Sequence, residues 1–331
     1  MDPVSQAVVG AIVPQSIGRR RPLAAIALVG GLAGMAPDLD IFIRSSTDPL
    51  LFLVYHRQFT HSLIFIPIGA LLCTMALWPL MRRWLELKTV FWTALLGFGS
   101  HGVLDACTTY GTLLLWPFSD VRVAWNNVSV VDPLFTLPVL VAVLLAARLD
   151  SRRIAQWGLV WGLSYLLLGL TQNDRAESAA YELAHARGHL PVRLSAKPGF
   201  ANLLLWKVIY EYDGRFYVDA VRVGLATTII PGDSVERLSR AKHLPWLDAD
   251  SQQARDLARF QWFSNDYLAL DQHDPLLVID IRYSLLPNEV DGLWGIRFNP
   301  TAGVDEHIDY RTQRRPSRER LDRLIDMLAN P

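Results

Sequence analysis

The 331 residues carry no net charge and are 51% hydrophobic, with only 19% Asp, Glu, Lys and Arg. A neutral chain of this kind lacks the basic footprint of a nucleic-acid binder, so no nucleic-acid partner is expected. The charge is unevenly placed: residues 1–171 hold 21 of the 64 charged side chains and residues 172–331 hold the other 43. That split predicts an all-α polytopic membrane domain over 1–171, followed by a soluble α+β domain with an antiparallel sheet over 172–331.

The chain opens on Asp2-Pro3, the pairing of an N-cap with a first-turn proline, and lacks the pattern of a secretory signal. Apolar runs then cover 3–18, 22–36, 62–81, 89–108, 129–147 and 154–171. They predict five to six transmembrane or re-entrant helices. The last four are near the ~20 residues a span needs, and the first two form a shorter hairpin. Arg19-Arg20-Arg21, then Arg82, Arg83 and Lys88, then Arg148, Arg152 and Arg153 separate successive pairs of runs. The positive-inside rule makes those turns cytoplasmic. The opposite turns and everything after residue 171 are then extracytoplasmic. Cys73 and Cys107 lie in or beside apolar runs and read as small buried hydrophobes.

Ionisable residues embedded in such runs mark functional sites by default. Asp38, Asp40, His56, His61, His101 and Asp105 all fall on the face opposite the basic turns. They are expected to form one metal site. Pro37 should end the second run, leaving Asp38 and Asp40 to alternate in an extended or turning segment. Thr60 should cap the next helix, with His61 in its first turn and His56 in the loop before it. His101 and Asp105, four apart, stack on one helix face. Imidazole with carboxylate suits one or two divalent ions: zinc, with manganese or iron as the other options. No HExxH is present, which disfavours a zincin-type protease. Asp38, Asp105 and Arg57 are expected to carry catalysis. Arg57 reads either as a phosphate clamp or as a residue snorkelling to the headgroups. Asp2, Gln6 and Asp132 are expected in supporting positions. Blander readings exist for each piece: Asp-x-Asp as a plain loop, His101 as a packing residue, His101 with Asp105 as a helix-pairing contact. Thr108, Thr109, Gly111 and Thr112 form a small-residue turn before Trp116-Pro117-Phe118. Trp116, Phe118 and Trp125 read as an interfacial belt or as the rim of a lipid cleft.

At these residues the chain resembles the bacterial membrane-bound, metal-dependent hydrolase family of YdjM-like inner-membrane proteins. The likeness rests on Asp2-Pro3-Val4-Ser5-Gln6-Ala7, Pro37-Asp38-Leu39-Asp40, Tyr55-His56-Arg57-Gln58-Phe59-Thr60-His61-Ser62, and His101 with Asp105. It continues through Thr109-Tyr110-Gly111-Thr112, Leu115-Trp116-Pro117-Phe118 and Val131-Asp132-Pro133-Leu134, covering 1–147 and, more loosely, the remainder. The resemblance implies a multi-pass protein of the bacterial inner membrane. Some members have His where this chain has Gln6, a poor metal ligand, which leaves the first helix to orient water or substrate. The order of first-helix polar residue, Pro-Asp, paired His and His-xxx-Asp also loosely resembles zinc-dependent phospholipase C. That likeness favours phosphoester over peptide substrates.

In the soluble half, 174–187 reads as a polar helix with His185 and His189 four apart, a spacing that could bind metal, although Gly188 and Pro191 indicate a helix terminus there. Segments 202–212 and 215–223 alternate around Asp213-Gly214, a hairpin signal. Segments 275–283 and 292–298 read as further strands, and 250–262 and 316–329 as helices. The basic 314–323 run reads as a solvated helix. The domain is expected to cover the membrane site or to select substrate.

The expected function is hydrolysis of a phosphoester in a lipid or lipid-linked substrate at the outer face of the membrane, with a homo-oligomer left open. The alternatives are a transporter or channel, and a non-catalytic scaffold stabilised by metal.

Overall fold

The computed structural model describes residues 1–18, 22–313 and 317–329, so Arg19-Arg20-Arg21 and the start of the 314–323 run lie outside the described residues. The chain divides into two compact units. One comprises Met1–Phe42, Tyr55–Thr171 and Phe200–Leu203; the other comprises Ile43–Val54, Gln172–Gly199 and Leu204–Pro331.

In the first unit, helix α1 (Pro3–Ile17) begins where Asp2 accepts the Val4 and Ser5 amides and Pro3 fills the first helical position. Helix α2 (Leu23–Met35) runs back along it. The two backbones touch, because a Cβ at Gly30 would lie 2.3 Å from the Gly10 carbonyl oxygen. Small residues permit this approach, as in other helix pairs whose packing must replace a hydrophobic driving force.

The chain does not become extended at Pro37. Ala36 keeps helical backbone angles, and Ala36–Phe42 continues as a 3-10 helix. Pro37 sits in the first turn of that new helix, where its missing N–H is no loss, and this outweighs the bias it puts on Ala36. A short helix α3 (Leu51–Tyr55) follows, then 3-10 turns at Phe59–His61 and Leu63–Phe65, then α4 (Ile66–Met81). Thr60 therefore does not cap α4, whose start at Phe65 has no side-chain cap. Helix α5 (Leu87–Ala106) precedes α6 (Pro133–Leu149), which is capped by Asp132 through the Leu134 and Phe135 amides. Helix α7 is one 35-residue helix, Arg152–Ala186, rather than a span ending near 171 and a separate polar helix. Nothing in Thr171-Gln172-Asn173-Asp174 breaks it, and the division between units falls inside it.

Among the described residues, three helical stretches are long and apolar enough to cross a membrane: Leu23–Phe42, Leu63–Met81 and Arg152–Ala186. Pro133–Leu149 is apolar but shorter. The expectation of five to six spans is thus met for three. Helix α5 is long enough, but Ser100, His101 and Asp105 dilute its apolar character, and it buries the last two completely. At the bundle end away from these residues, Arg152 Nε donates to the Ser16 carbonyl at 2.7 Å and the Leu23 amide to Asp150 Oδ1 at 3.0 Å.

The second unit contains two antiparallel sheets. Strands β1 (Arg193–Pro198), β2 (Leu205–Tyr212), β3 (Arg215–Val223) and β4 (Thr227–Ile230) lie in that order, with β5 (Ser234–Glu236) also on β3. Helices α8 (Arg240–His243) and α9 (Gln252–Phe263) follow. The second sheet is β6 (Leu268–Leu270), β7 (Leu277–Asp280), β8 (Trp294–Arg297) and β9 (Asp309–Thr312), and α10 (Arg318–Ala329) comes last. The predicted hairpin is present: Tyr212 pairs with Arg215, and Asp213 and Gly214 both have positive φ, at 47° and 68°. Those angles are what a two-residue turn between twisted strands requires. Ile209, Phe216, Val218, Ile279 and Ile281 belong to one buried cluster. Helix α7 stops before His189, which stacks on Tyr212 at 4.4 Å, while His185 is exposed, so the two do not form a metal pair.

Candidate metal centre

Three short pieces of backbone deliver the site. The 3-10 helix supplies Asp38 and Asp40, the turns after α3 supply His56, Arg57 and His61, and α5 supplies His101 and Asp105. Asp38, His61, His101 and Asp105 converge so that one ligand atom from each lies within 4.8 Å of the others. The Nε2 atoms of His61 and His101 are 2.8 Å apart. Asp38 Oδ1 stands 3.5 Å from the first and 3.4 Å from the second. Asp105 Oδ2 stands 3.3 Å and 3.7 Å from the same two atoms. His61, His101 and Asp105 are buried, and Asp38 is half-buried.

Hydrogen bonds on the far side of each ring fix what these atoms offer. His101 Nδ1 lies 2.5 Å from the Gly34 carbonyl oxygen, which can only accept, so Nδ1 carries the proton and Nε2 the lone pair. Thr60 donates its hydroxyl hydrogen to Asp40 Oδ2 at 2.7 Å and thus accepts from His61 Nδ1 at 2.9 Å. His61 therefore also points a lone pair inward. Two imidazole lone pairs and two carboxylate oxygens face one point. Asp105 Oδ2 accepts no hydrogen bond of good geometry, although Arg57 Nε lies 3.0 Å away. A single proton can bridge the two nitrogens but leaves the carboxylates facing each other. A divalent cation satisfies all four. Tetrahedral bonds of about 2.0–2.2 Å put ligand atoms about 3.3–3.6 Å apart, close to the four nitrogen–carboxylate separations here, while the two Nε2 atoms stand nearer than that at 2.8 Å.

The remaining residues support this set. Asp40 takes His56 Nδ1 at 2.7 Å on one oxygen and the Arg57 amide at 3.1 Å on the other, which also stands 3.3 Å from His61 Nδ1. This is the carboxylate–histidine arrangement that orients metal ligands. Asp38, Asp40 and His56 form a second, more open group with metal-ligand spacing. Gln6 Nε2 donates to Asp105 Oδ1 at 2.9 Å, and the Met1 amino group reaches the same oxygen. Arg57 is buried with a left-handed backbone (φ 64°), and its NH1 donates to Thr108 Oγ1 at 3.0 Å. Burial of the guanidinium against Asp105 argues against a headgroup-level snorkel. Asp2 and Asp132 serve as helix caps, with Tyr165 Oη donating to both Asp132 oxygens at 2.9 Å. The Gly34 carbonyl and the Thr60 hydroxyl were not singled out from sequence as orienting partners. Neither has a pattern of its own, and only the fold brings them to the rings.

The comparisons with known proteins place the first unit in an inner membrane protein family. Residues 1–176 match the model of the YdjM inner membrane protein family. The chain is 25% identical over 275 residues to an uncharacterized protein, YfhP, of Bacillus subtilis (strain 168), covering 81% of this chain and 80% of that one. It is 34% identical over 107 residues to the inner membrane protein YbcI of Escherichia coli (strain K12), covering 30% of this chain and 60% of that one. No solved structure matches. With more than half of its length matched, the chain belongs to the YdjM inner membrane protein family.

Proposed function

We propose that the protein is a membrane-embedded, metal-dependent hydrolase acting on a phosphoester of a lipid or lipid-linked substrate at the outer face of the bacterial inner membrane. The observation that carries this reading is the convergence of two Nε2 lone pairs and two carboxylate oxygens on one point. Asp38, His61, His101 and Asp105 would hold the ion, zinc before manganese or iron, and Asp38, Asp40 and His56 would hold any second ion. The metal would supply Lewis acidity and activate water near neutral pH.

The protein's own groups do the rest. Asp40 and Gly34 keep His61 and His101 in the tautomer that binds metal. Asp38 and His56, the less buried members, form the approach for substrate. Arg57 stands against Asp105 and can offer guanidinium N–H groups to a phosphoryl oxygen as charge develops on it. A hydrocarbon-tailed substrate is favoured because Leu39, Ile41 and Phe42 are exposed on the same 3-10 helix that turns Asp38 and Asp40 inward. Leu115 and Phe118 add exposed apolar surface after the Thr109–Thr112 turn. The positive-inside rule, read from the basic stretches of the sequence, favours an extracytoplasmic location for this face.

The test is turnover by detergent-purified, metal-loaded protein of a panel of lipid phosphoesters beside lipid amides and peptides. Phosphoester cleavage that Arg57→Lys reduces at least tenfold, with metal content unchanged, is the expected result. Cleavage of an amide and of no phosphoester overturns the reading.

A further inference from the structure

We infer that Arg259 is a positioning residue for the metal centre, acting through Asp48 on the segment that joins the first two of the three backbone pieces that deliver the centre. The inference rests on the metal reading above. Residues Ile43–Val54 separate Asp38 and Asp40 from His56 and His61 in sequence, yet they pack as part of the second unit. Asp40 closes the excursion at its base, through His56 Nδ1 and the Arg57 amide.

Inside that segment Asp48 has two tasks. Its Oδ1 accepts the Leu50 amide at 2.9 Å and its carbonyl accepts the Leu51 amide at 3.4 Å, which starts α3. Helix α3 ends at Tyr55, directly before His56, and the Tyr55 carbonyl accepts the Gln58 amide at 3.1 Å. The path of α3 thus sets where His56 and Arg57 emerge. Asp48 is also gripped by Arg259 of α9, NH1 to Oδ1 and NH2 to Oδ2, both at 2.9 Å. A two-pronged contact fixes direction as well as position. Asp256 aligns Arg259 at 3.1 Å, and its other oxygen takes His307 Nδ1 at 2.8 Å. Phe52 adds a second anchor by meeting Tyr310 edge-on, with ring centroids 5.2 Å apart.

Asp48, Asp256 and His307 are close enough to suggest another ion site. The Arg259 guanidinium already occupies the space between the carboxylates, so their role is to hold the segment. Without this grip, the segment leading to His56, Arg57 and His61 samples more paths. Apparent metal affinity then falls by the fraction of time the ligands are in place.

The experiment uses the full chain in detergent, with zinc and manganese as the probes and affinity read by competition with a chelating dye. Arg259→Ala should weaken binding about tenfold, which corresponds to ligands in place about one-tenth of the time. Arg259→Lys, which keeps the charge but not the fork, should fall between. Arg187→Ala removes the Arg187–Asp219 pair, with contacts of 2.6 and 2.9 Å, elsewhere in the same unit, and should leave affinity unchanged. Wild-type affinity in Arg259→Ala, or equal weakening in Arg187→Ala, overturns the inference while the metal reading stands. A wild-type chain that takes up neither ion overturns both.

Discussion

His61 and His101 aim Nε2 at the centre because their Nδ1 atoms are engaged elsewhere, and that division of labour makes single-atom predictions possible. Asp40 stands behind His61, so Asp40→Asn should keep the four facing ligand atoms but weaken metal binding 10- to 100-fold in a dye-competition titration. Thr60→Val, which removes the hydroxyl between Asp40 and His61 Nδ1, should shift affinity in the same direction. An unchanged affinity in both would mean that His61 is oriented by packing alone. The converging residues were visible in the sequence because Asp and His inside apolar runs are costly and therefore conspicuous. Their partners were not. A backbone carbonyl at Gly34 has no sequence signature, and Thr60 resembles any helix-capping threonine until the fold turns it toward Asp40.

At the scale of elements, the centre depends on how closely α1, α2 and α5 approach. A Cβ at Gly97 would lie 2.3 Å from the Gly30 carbonyl oxygen, and one at Gly34 would lie 2.7 Å from the Gln6 carbonyl oxygen. Gly97→Ala should therefore push α5 from α2, destabilising the bundle by about 1–3 kcal/mol as overpacking usually does. Thermal unfolding in detergent reads this as a lowered midpoint, and metal affinity should fall with it because α5 carries His101 and Asp105. Asp132 offers the contrast. Asp132→Ala removes the cap on α6 and the contact to Tyr165, costing about 0.5–2 kcal/mol, while metal affinity stays at the wild-type value. A loss of metal in Asp132→Ala with no loss of stability would place that carboxylate in the centre after all. Helix positions followed from apolar runs, but their ends did not: Pro37 starts a 3-10 turn instead of ending helical structure, and α7 continues through residue 171. In the second unit, the hairpin at Asp213-Gly214 was plain from its turn residues. Polar or short strands such as β1 and β9 lacked an alternating pattern strong enough to declare them.

Over the whole molecule, the second unit carries a pH dependence of its own. Lys197 and Lys207 face each other directly across β1 and β2, and both are buried. Burial pushes each amine down to about 7. Lys207 Nζ donates to Ser284 Oγ at 2.8 Å and to the Glu289 carbonyl at 2.6 Å, two acceptors that match the two N–H groups of a neutral amine. The unfolded chain holds these protons up to the ordinary lysine range near 10.4, so it binds more protons than the folded chain between about pH 7 and 10.4. Stability of this unit should therefore rise with pH across that window, and the penalty should be complete below about pH 7. Urea midpoints followed by limited proteolysis should climb from pH 7 to pH 10 in the wild type and climb less in Lys207→Met. A flat wild-type profile would mean that both amines stay charged when folded. The metal centre is independent of this slope, since neither lysine belongs to it.

The most direct test of the account is elemental analysis of the detergent-purified protein, wild type beside a His61→Ala, His101→Ala variant, after incubation with zinc and manganese. Stoichiometric metal in the wild type, and none in a variant that keeps the wild-type circular dichroism, is the expected result. A wild-type protein that stays metal-free, or a folded variant that binds as much metal as the wild type, would contradict it.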